Sequence, residues 1–431
     1  MKDSILIKGG WLVDPASGFE GTADLLAAEG RVALVGEIDE AKCTPSRIID
    51  ARGLTVMPGL VDLHVHLRDP GQTEKETIES GAAAAAAGGV TTLLAMPNTR
   101  PPMDSVSRIS YVANKAAALS PVRIYQASAI TLDMKGTEVA DIEALTRSGV
   151  RAFSEDGKSV MDARTMFEAM KRIARTGALI CDHCEDAGMA AGGVMNEDAR
   201  AEELGLPGIA NAVEDTIAAR DIVLAAESGA RLHLCHCSTA GSVRLVRAAK
   251  REGIRVTAEA CPHHFILTSD DIPGDDANYK MNPPLRTARD VKAIRDGLKD
   301  GTIDCISTDH APHCAEEKRR GFRSAPFGIV GLETSAALTY TELVKTGVLS
   351  LMQMAEKMSL NPARILGVPG GSLQAGMPAD IAVFDFRTPV VIDPSTFASK
   401  GRNTPFAGRT VFGTLKYTLV NGQVVREAGH D

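Results

Sequence analysis

Between residues 55 and 365, eight short apolar runs alternate with helical stretches, and this alternation restricts the chain to very few folds. The candidate strands are 56–63, 90–96, 122–128, 150–153, 178–181, 231–235, 255–259 and 303–307. Three of the helical stretches run from Glu76 to Ala87, Met161 to Thr176 and Ala240 to Glu252, and each stops at glycine: Gly88-Gly89, Gly177 and Gly253. Glycine is a common helix stop because it takes the left-handed conformation without a Cβ clash. Eight strands alternating with helices in one run predict an α/β fold, a (β/α)8 TIM barrel.

The two ends read differently. Ile5–Lys8, Trp11–Val13, Ala23–Leu26 and Arg31–Val35 are strand-like, with turns marked at Gly9-Gly10, Gly18 and Glu29-Gly30. Similar runs return at Ala379–Phe386, Val390–Ile392 and Tyr417–Val425, the last carrying the hairpin dipeptide Asn421-Gly422. Both ends are therefore expected to pair into one small composite β domain, 1–54 with 366–431, and the barrel, 55–365, to be an insertion between its halves. Aromatic residues make up only 4% of the chain, so the core must rest on Ala, Val, Leu and Ile. A net charge of -8 argues against a nucleic-acid surface. No apolar run approaches a membrane span, and Met1–Ile7 lacks a signal-peptide pattern, so a cytoplasmic protein is expected. The eight cysteines should then be reduced. Cys181 and Cys184 form a C-x-x-C, but a redox or zinc reading needs a second pair or a redox fold around it. Small buried residues are the better reading for most of these thiols.

Chemistry in such a barrel gathers at the carboxyl ends of strands. After the first strand come His64, His66 and Arg68. Strand side chains alternate, so His64 and His66 face one way and can grip one ion. On its own, a His-x-His equally suits a polar strand end with two satisfied imidazoles. The later tails are Met96-Pro97-Asn98-Thr99, Phe153-Ser154-Glu155-Asp156-Gly157, Asp182-His183-Cys184-Glu185-Asp186, His236-Cys237-Ser238-Thr239, Cys261-Pro262-His263-His264 and Ser307 to His313. Nine of the ten histidines lie in or beside these segments. Nitrogen and oxygen ligands without a clear thiolate set suit zinc or a similar divalent ion. His233, three residues from His236, faces the other way on an extended strand and reads as structural. His263 and His264 are not assigned as ligands, His310 is expected to face away or support its neighbours, and His430 reads as solvated.

As a set, these segments, with Met57–Asp62 and Met281-Asn282-Pro283-Pro284-Leu285-Arg286, resemble the amidohydrolase superfamily. They resemble most closely the dihydroorotase family, of the type with an aspartate in place of a carboxylated lysine. The resemblance implies that His64, His66 and Asp309 hold one metal, that His183 and His236 hold a second, and that Asp156 bridges them. The cofactor implied is Zn²⁺, one or two per protomer. The only lysine near that bridge, Lys158, lies beyond Gly157. Glu155 is the other carboxylate, but successive residues face opposite ways on an extended chain, and the family pattern favours Asp156.

The activity implied is reversible cyclisation of N-carbamoyl-L-aspartate to (S)-dihydroorotate and water in pyrimidine (UMP) biosynthesis, with metal-bound hydroxide as nucleophile. The proton must be taken from water and delivered to the leaving nitrogen, which a carboxylate touching both metal and water can do; Asp309 is assigned this role as general acid/base. The substrate carboxylate suits the planar guanidinium of Arg68, completed by Asn98 and His313. Asn282 and the backbone at Phe327-Gly328 would hold the ring amides. The alternative for Arg68 is a surface ion pair with Asp69 or Glu74. The charged stretch His313–Phe322 is either a solvated loop or a lid that excludes water. Rival readings are a hydantoinase or allantoinase, which usually carries the bridging lysine, and a non-catalytic scaffold, which would have lost metal ligands. Aspartate transcarbamoylase and further copies of the chain are the partners the resemblance suggests.

Overall fold

The structure, a computed structural model, describes residues 4–429, so His430 lies outside the described residues. The first strand, β1 (Ser4–Asp14), runs straight through Gly9-Gly10, where the sequence predicts a turn. Gly9 takes φ +66°, and the antiparallel register with β2 (Phe19–Ala28) shifts between Ile7 and Gly10. The glycines make a bulge instead of a reversal, and the Gly9 N–H donates to Asp24 Oδ1 at 2.8 Å. Glu29-Gly30, both at positive φ, do reverse the chain into β3 (Arg31–Gly36). β4 (Arg47–Asp50) and β5 (Thr55–Pro58) then lie parallel along β1.

β6 (Leu60–Val65) leaves that sheet. The sequence reads 56–63 as one strand, but the structure splits it at Gly59, where a Cβ would meet the Thr91 side chain at 2.3 Å. β6 pairs in parallel with β7 (Val90–Ala95), and β7 with β8 (Arg123–Gln126). One residue later β9 (Ser128–Ala129) starts a second parallel sheet, continued by β10 (Ala152–Ser154) and β11 (Leu179–Asp182). β12 (Met195–Asn196) and β13 (Gly208–Ile209) pair with each other in a small sheet of their own. The second sheet goes on through β14 (Arg231–Leu234), β15 (Val256–Ala260) and β16 (Cys305–Ile306). A parallel bridge, Val65 with His310, joins the tails of β6 and β16, and the His66 N–H donates to His310 O at 2.8 Å.

The helices between these strands bury one stripe each. In Ala163–Thr176 the buried residues are Met166, Ala169, Met170 and Ile173, spaced by three and four. Asp162 caps its start by accepting from Thr165 N, and Gly177 at φ +75° ends it. Burying each large apolar side chain in this way stabilises the fold by about 1.5–3 kcal/mol.

The C-terminal strands β17 (Ile381–Val391), β18 (Thr410–Val420) and β19 (Gln423–Glu427) return to the first sheet, whose order is β19-β18-β17-β5-β1-β2-β3 with β4 on β1. One sheet is thus built from both chain ends. Asn421 and Gly422 take φ +49° and +71° and close the β18–β19 hairpin between Val420 and Gln423. Ile5, Ile7, Leu25, Val56, Ile381 and Leu419 pack together on its inner face. Among the described residues no helix is long and apolar enough to cross a membrane. All eight cysteines are unbridged, and seven are buried.

Candidate metal centre

His64 stands on β6, and the other polar residues follow strand ends: His66 and Arg68 after β6, Asn98 after β7, Asp156 after β10, His183 after β11, His236 after β14 and Asp309 after β16. Arg68, His236 and Asp309 take positive φ, at +58°, +31° and +48°. The chain bends sharply there and turns these side chains inward. His66, Arg68, Asn98, Asp156, His183, His236, Asn282, Asp309, His313, Phe327 and Gly328 line one cavity of ≈ 180 Å³. His64, wholly buried, lies beneath it.

Asp156 is the hub. Its Oδ1 lies 3.1 Å from His64 Nε2 and 3.6 Å from both His183 Nδ1 and His236 Nε2, and its Oδ2 lies 3.4 Å from His66 Nε2. Asp309 Oδ1 lies 3.0 Å from His66 Nε2 and 3.6 Å from His64 Nε2. The far nitrogen of each of three imidazoles meets a fixed acceptor: His64 Nδ1 meets Glu259 Oε1, His66 Nδ1 meets Asn98 Oδ1, and His183 Nε2 meets Glu185 Oε2, each at 2.9 Å. Such acceptors set the tautomer and leave the inward nitrogen as a lone pair, as around bound metals. His64 Nε2 and Asp156 Oδ1 are buried without a hydrogen-bond partner among the described residues, and His183 Nδ1 faces His236 Nε2 at 3.0 Å. Lone pairs so crowded need a proton or a cation among them. His64, Asp156 and His236, and likewise His64, His66 and Asp309, bring one ligand atom each within 4.8 Å of one another. These His/Asp groups fit a divalent ion.

The electrostatics agree. Burial raises the Asp156 carboxyl, but His64, His183 and His236 overcome it and hold it well below the usual range. Burial likewise opposes the shift at Asp309, which the imidazoles, His66 foremost, hold down to about 2. Burial lowers His64 and His183, yet the carboxylates win: His64 is pushed well above its ordinary value and His183 up to about 10. The metal-free cluster therefore holds protons where a metal needs bare imidazoles. Below about 10 His183 is protonated, so an entering ion must expel that proton, and rising pH favours the ion. Zinc affinity, measured by chelator competition, is expected to climb roughly tenfold per pH unit for each proton expelled. Titration calorimetry in two buffers of different ionisation heat should register that release; a flat affinity profile would mean that the imidazoles are already neutral.

On the open side, Arg68 is buried and reaches Pro312 O and His313 Nε2, each at 3.4 Å. Asp69 is bonded instead to Lys115 Nζ at 2.6 Å and Tyr111 at 3.0 Å. His313 Nε2 meets Phe327 O at 2.8 Å, and Asn282 Nδ2 donates to Glu185. Burial, with the charges of Arg68, Lys318 and Lys75, drives His313 down to about 3. The charged loop after His313 is tied down: Lys75 pairs with Glu317 at 2.8 Å, and the buried Lys318 ammonium donates to Gly328 O at 2.8 Å.

Glu155 turns away and accepts from Ile130 N and Thr131 N at 3.1 Å, while Lys158 is exposed. His310 also turns away, its Nε2 3.3 Å from Glu76 and its Nδ1 accepting from Gly331 N. His233 lies behind the cluster against Thr257 and Glu259. Sequence reasoning missed Glu259, whose carboxylate joins His64, His233 and Ser307. Its one signal was an acidic residue inside an otherwise apolar strand. It also missed Glu185 and Asp62; Asp62 accepts from His64 N at 3.0 Å and Thr308 N at 3.2 Å.

A family profile described as Dihydro-orotase-like matches residues 53–242. The chain is 48% identical over 424 residues to the dihydroorotase of Pelotomaculum thermopropionicum, covering 98% of each. It is 46% identical over 426 residues to the dihydroorotase of Bacillus subtilis, covering 99% of each. Among solved structures it is similar to the L-hydantoinase (dihydropyrimidinase) of Arthrobacter aurescens, with TM-score 0.88 and 30% identity, covering 99% of this chain and 96% of that one.

Proposed function

The chain belongs to the dihydroorotase family, cyclic amidohydrolases, and we propose on that premise that it interconverts N-carbamoyl-L-aspartate and (S)-dihydroorotate. The observation that carries this reading is one small cavity with a buried guanidinium on one wall and a His/Asp metal-binding cluster on its floor. An N-carbamoyl amino acid with a carboxylate at one end and a condensing carboxyl at the other matches both.

His64, His66 and Asp309 would hold one ion, His183 and His236 a second, with Asp156 between them; Zn²⁺ suits the nitrogen and oxygen donors. Such ions supply Lewis acidity toward the amide carbonyl and lower the pKa of the attacking water. In the hydrolytic direction Asp309, ionised because the imidazoles hold it at about 2, takes the proton from water and passes it to the ring nitrogen as the C–N bond breaks. In ring closure the same carboxyl group acts in reverse. Arg68 grips the substrate carboxylate, with Asn98 and His313 beside it; His313, held neutral, adds a hydrogen bond without a charge. Asn282 and the backbone of Phe327-Gly328 face the ring amides. Asp156, central and buried, would take the place between the two ions, while Lys158 is exposed.

We read the two parallel sheets as one (β/α)8 barrel, supported by the single residue between β8 and β9 and by the Val65–His310 bridge. The division into 55–365 and a composite domain of 1–54 with 366–431 is kept, with Thr55–Pro58 crossing into the terminal sheet. A cytoplasmic setting accords with the eight free thiols. Association with aspartate transcarbamoylase or with further copies is carried from the family resemblance, and gel filtration with and without that enzyme tests it.

The deciding experiment counts metal per chain and assays ring closure of N-carbamoyl-L-aspartate beside hydantoin and allantoin hydrolysis. Turnover of the carbamoyl amino acid alone is expected; turnover of hydantoin alone would move the chain to the activity named for its structural neighbour. Arg68→Met should raise KM for carbamoyl aspartate by about 100-fold or more, since two charge-assisted bonds contribute about 1.5–3 kcal/mol each. With kcat little changed, that result marks binding shared by ground and transition states. An unchanged KM would place the substrate carboxylate elsewhere.

A further inference from the structure

We propose that Cys261, His263 and His264 form a separate metal site, taking a zinc-class ion through one thiolate and two imidazoles. The three residues fall within four positions, Cys261-Pro262-His263-His264, where β15 turns into a short helix at Pro262. All three are buried, at 0%, 1% and 2% exposure. One ligand atom from each lies within 4.8 Å of the other two.

The hydrogen bonding shows what the imidazoles lack. His264 Nε2 donates to Pro283 O at 2.9 Å. That bond fixes the tautomer and leaves His264 Nδ1 a lone pair, and this nitrogen is buried with no partner among the described residues. His263 Nε2 is likewise buried and unpartnered among the described residues. The rings are tilted by 64° with centroids 4.2 Å apart, so they are not stacked face to face. A backbone carbonyl holding the far nitrogen of an imidazole is the usual support behind a metal ligand. An unpaired buried polar group costs about 1–3 kcal/mol, and two such nitrogens belong to the histidines grouped with this thiol. One sulfur and two nitrogens exclude magnesium and calcium, which take oxygen, and suit zinc. Three protein ligands leave a fourth position on a tetrahedral ion.

Cobalt(II) tests this on the whole chain, because a thiolate bound to cobalt gives a near-ultraviolet charge-transfer band that imidazole and carboxylate ligands do not. The metal-free chain is loaded with Co²⁺, the excess is removed, and cobalt per chain and the spectrum are recorded. The wild type is expected to show the band and to hold one cobalt more than Cys261→Ser, which should lose the band. Cys235→Ser, which alters the thiol grouped with His64 and Glu259, should keep it. A wild type without the band overturns the site without reference to how any variant folds. A band that survives Cys261→Ser places the thiolate ligand at another cysteine, such as Cys235 or Cys305, and equal cobalt counts in the two proteins leave an internal water as the partner of the two nitrogens; either result overturns the site.

Discussion

Asp309→Asn is expected to lower kcat for ring closure and ring opening by about 10³–10⁴-fold, near the upper end for loss of a positioned proton carrier. The substitution keeps size and shape but removes the basic oxygen. In the wild type that oxygen lies 3.0 Å from His66 Nε2 and 3.6 Å from His64 Nε2, so it reaches both the cluster and the cavity. Asparagine can still offer an oxygen to an ion, and metal content should therefore fall less than activity. KM should move little, because Arg68 and Asn98 are untouched. Steady-state kinetics in both directions, with metal counted on the same samples, checks this. A loss of tenfold or less would show that another group moves the proton, and a loss that tracks metal content would leave Asp309 a ligand alone.

Much of this site was legible because polar residues at the ends of parallel strands are local in sequence. A strand puts alternate residues on one face, so His64 and His66 read as a pair before any contact is known. The tails after the other strands read as candidates because His and Asp sit where apolar runs stop. What sequence hid was the support. Glu259 lies inside a strand and serves His64, 195 positions away; no local pattern ties two residues so far apart. Asp156 and Glu155 are neighbours, and only backbone direction decides between them: Glu155 turns to the Ile130 and Thr131 amides, Asp156 to the imidazoles. In the fold, glycine was the recurrent ambiguity. Gly9-Gly10 and Glu29-Gly30 look alike in sequence, yet one pair is a bulge and the other a turn, because pairing with β2 continues across the first and must reverse at the second. Gly59 hides inside an apolar run, and its lack of a Cβ beside Thr91 lets the chain change sheets there.

Asp156→Asn separates the hub from its neighbours and is expected to weaken metal binding by about 100-fold or more, beyond the 10–100-fold usual for removing a supporting residue. The variant loses the negative charge that three imidazoles share, so the bias that pushes His64 and His183 upward relaxes. Two effects then oppose each other. Fewer protons must be expelled, which favours the ion, and the central negative charge of the cluster is gone, which disfavours it. The second dominates, because an ion between four imidazoles and one carboxylate carries more uncompensated charge in a buried site than one between four imidazoles and two. The metal-free variant should also be less stable by about 3–5 kcal/mol near neutral pH, the scale for breaking a buried charge pair. The folded Asp156 carboxyl lies below its ordinary value, so its contribution is present at neutral pH and fades as pH falls through the carboxylate range. Thermal unfolding with and without zinc reads both effects. The wild type should gain a large zinc-dependent rise in Tm and the variant a small one, since the gain grows with the logarithm of metal concentration over Kd. Equal zinc-dependent rises in the two proteins would remove Asp156 from the centre and reopen the question of what sits between His64, His183 and His236.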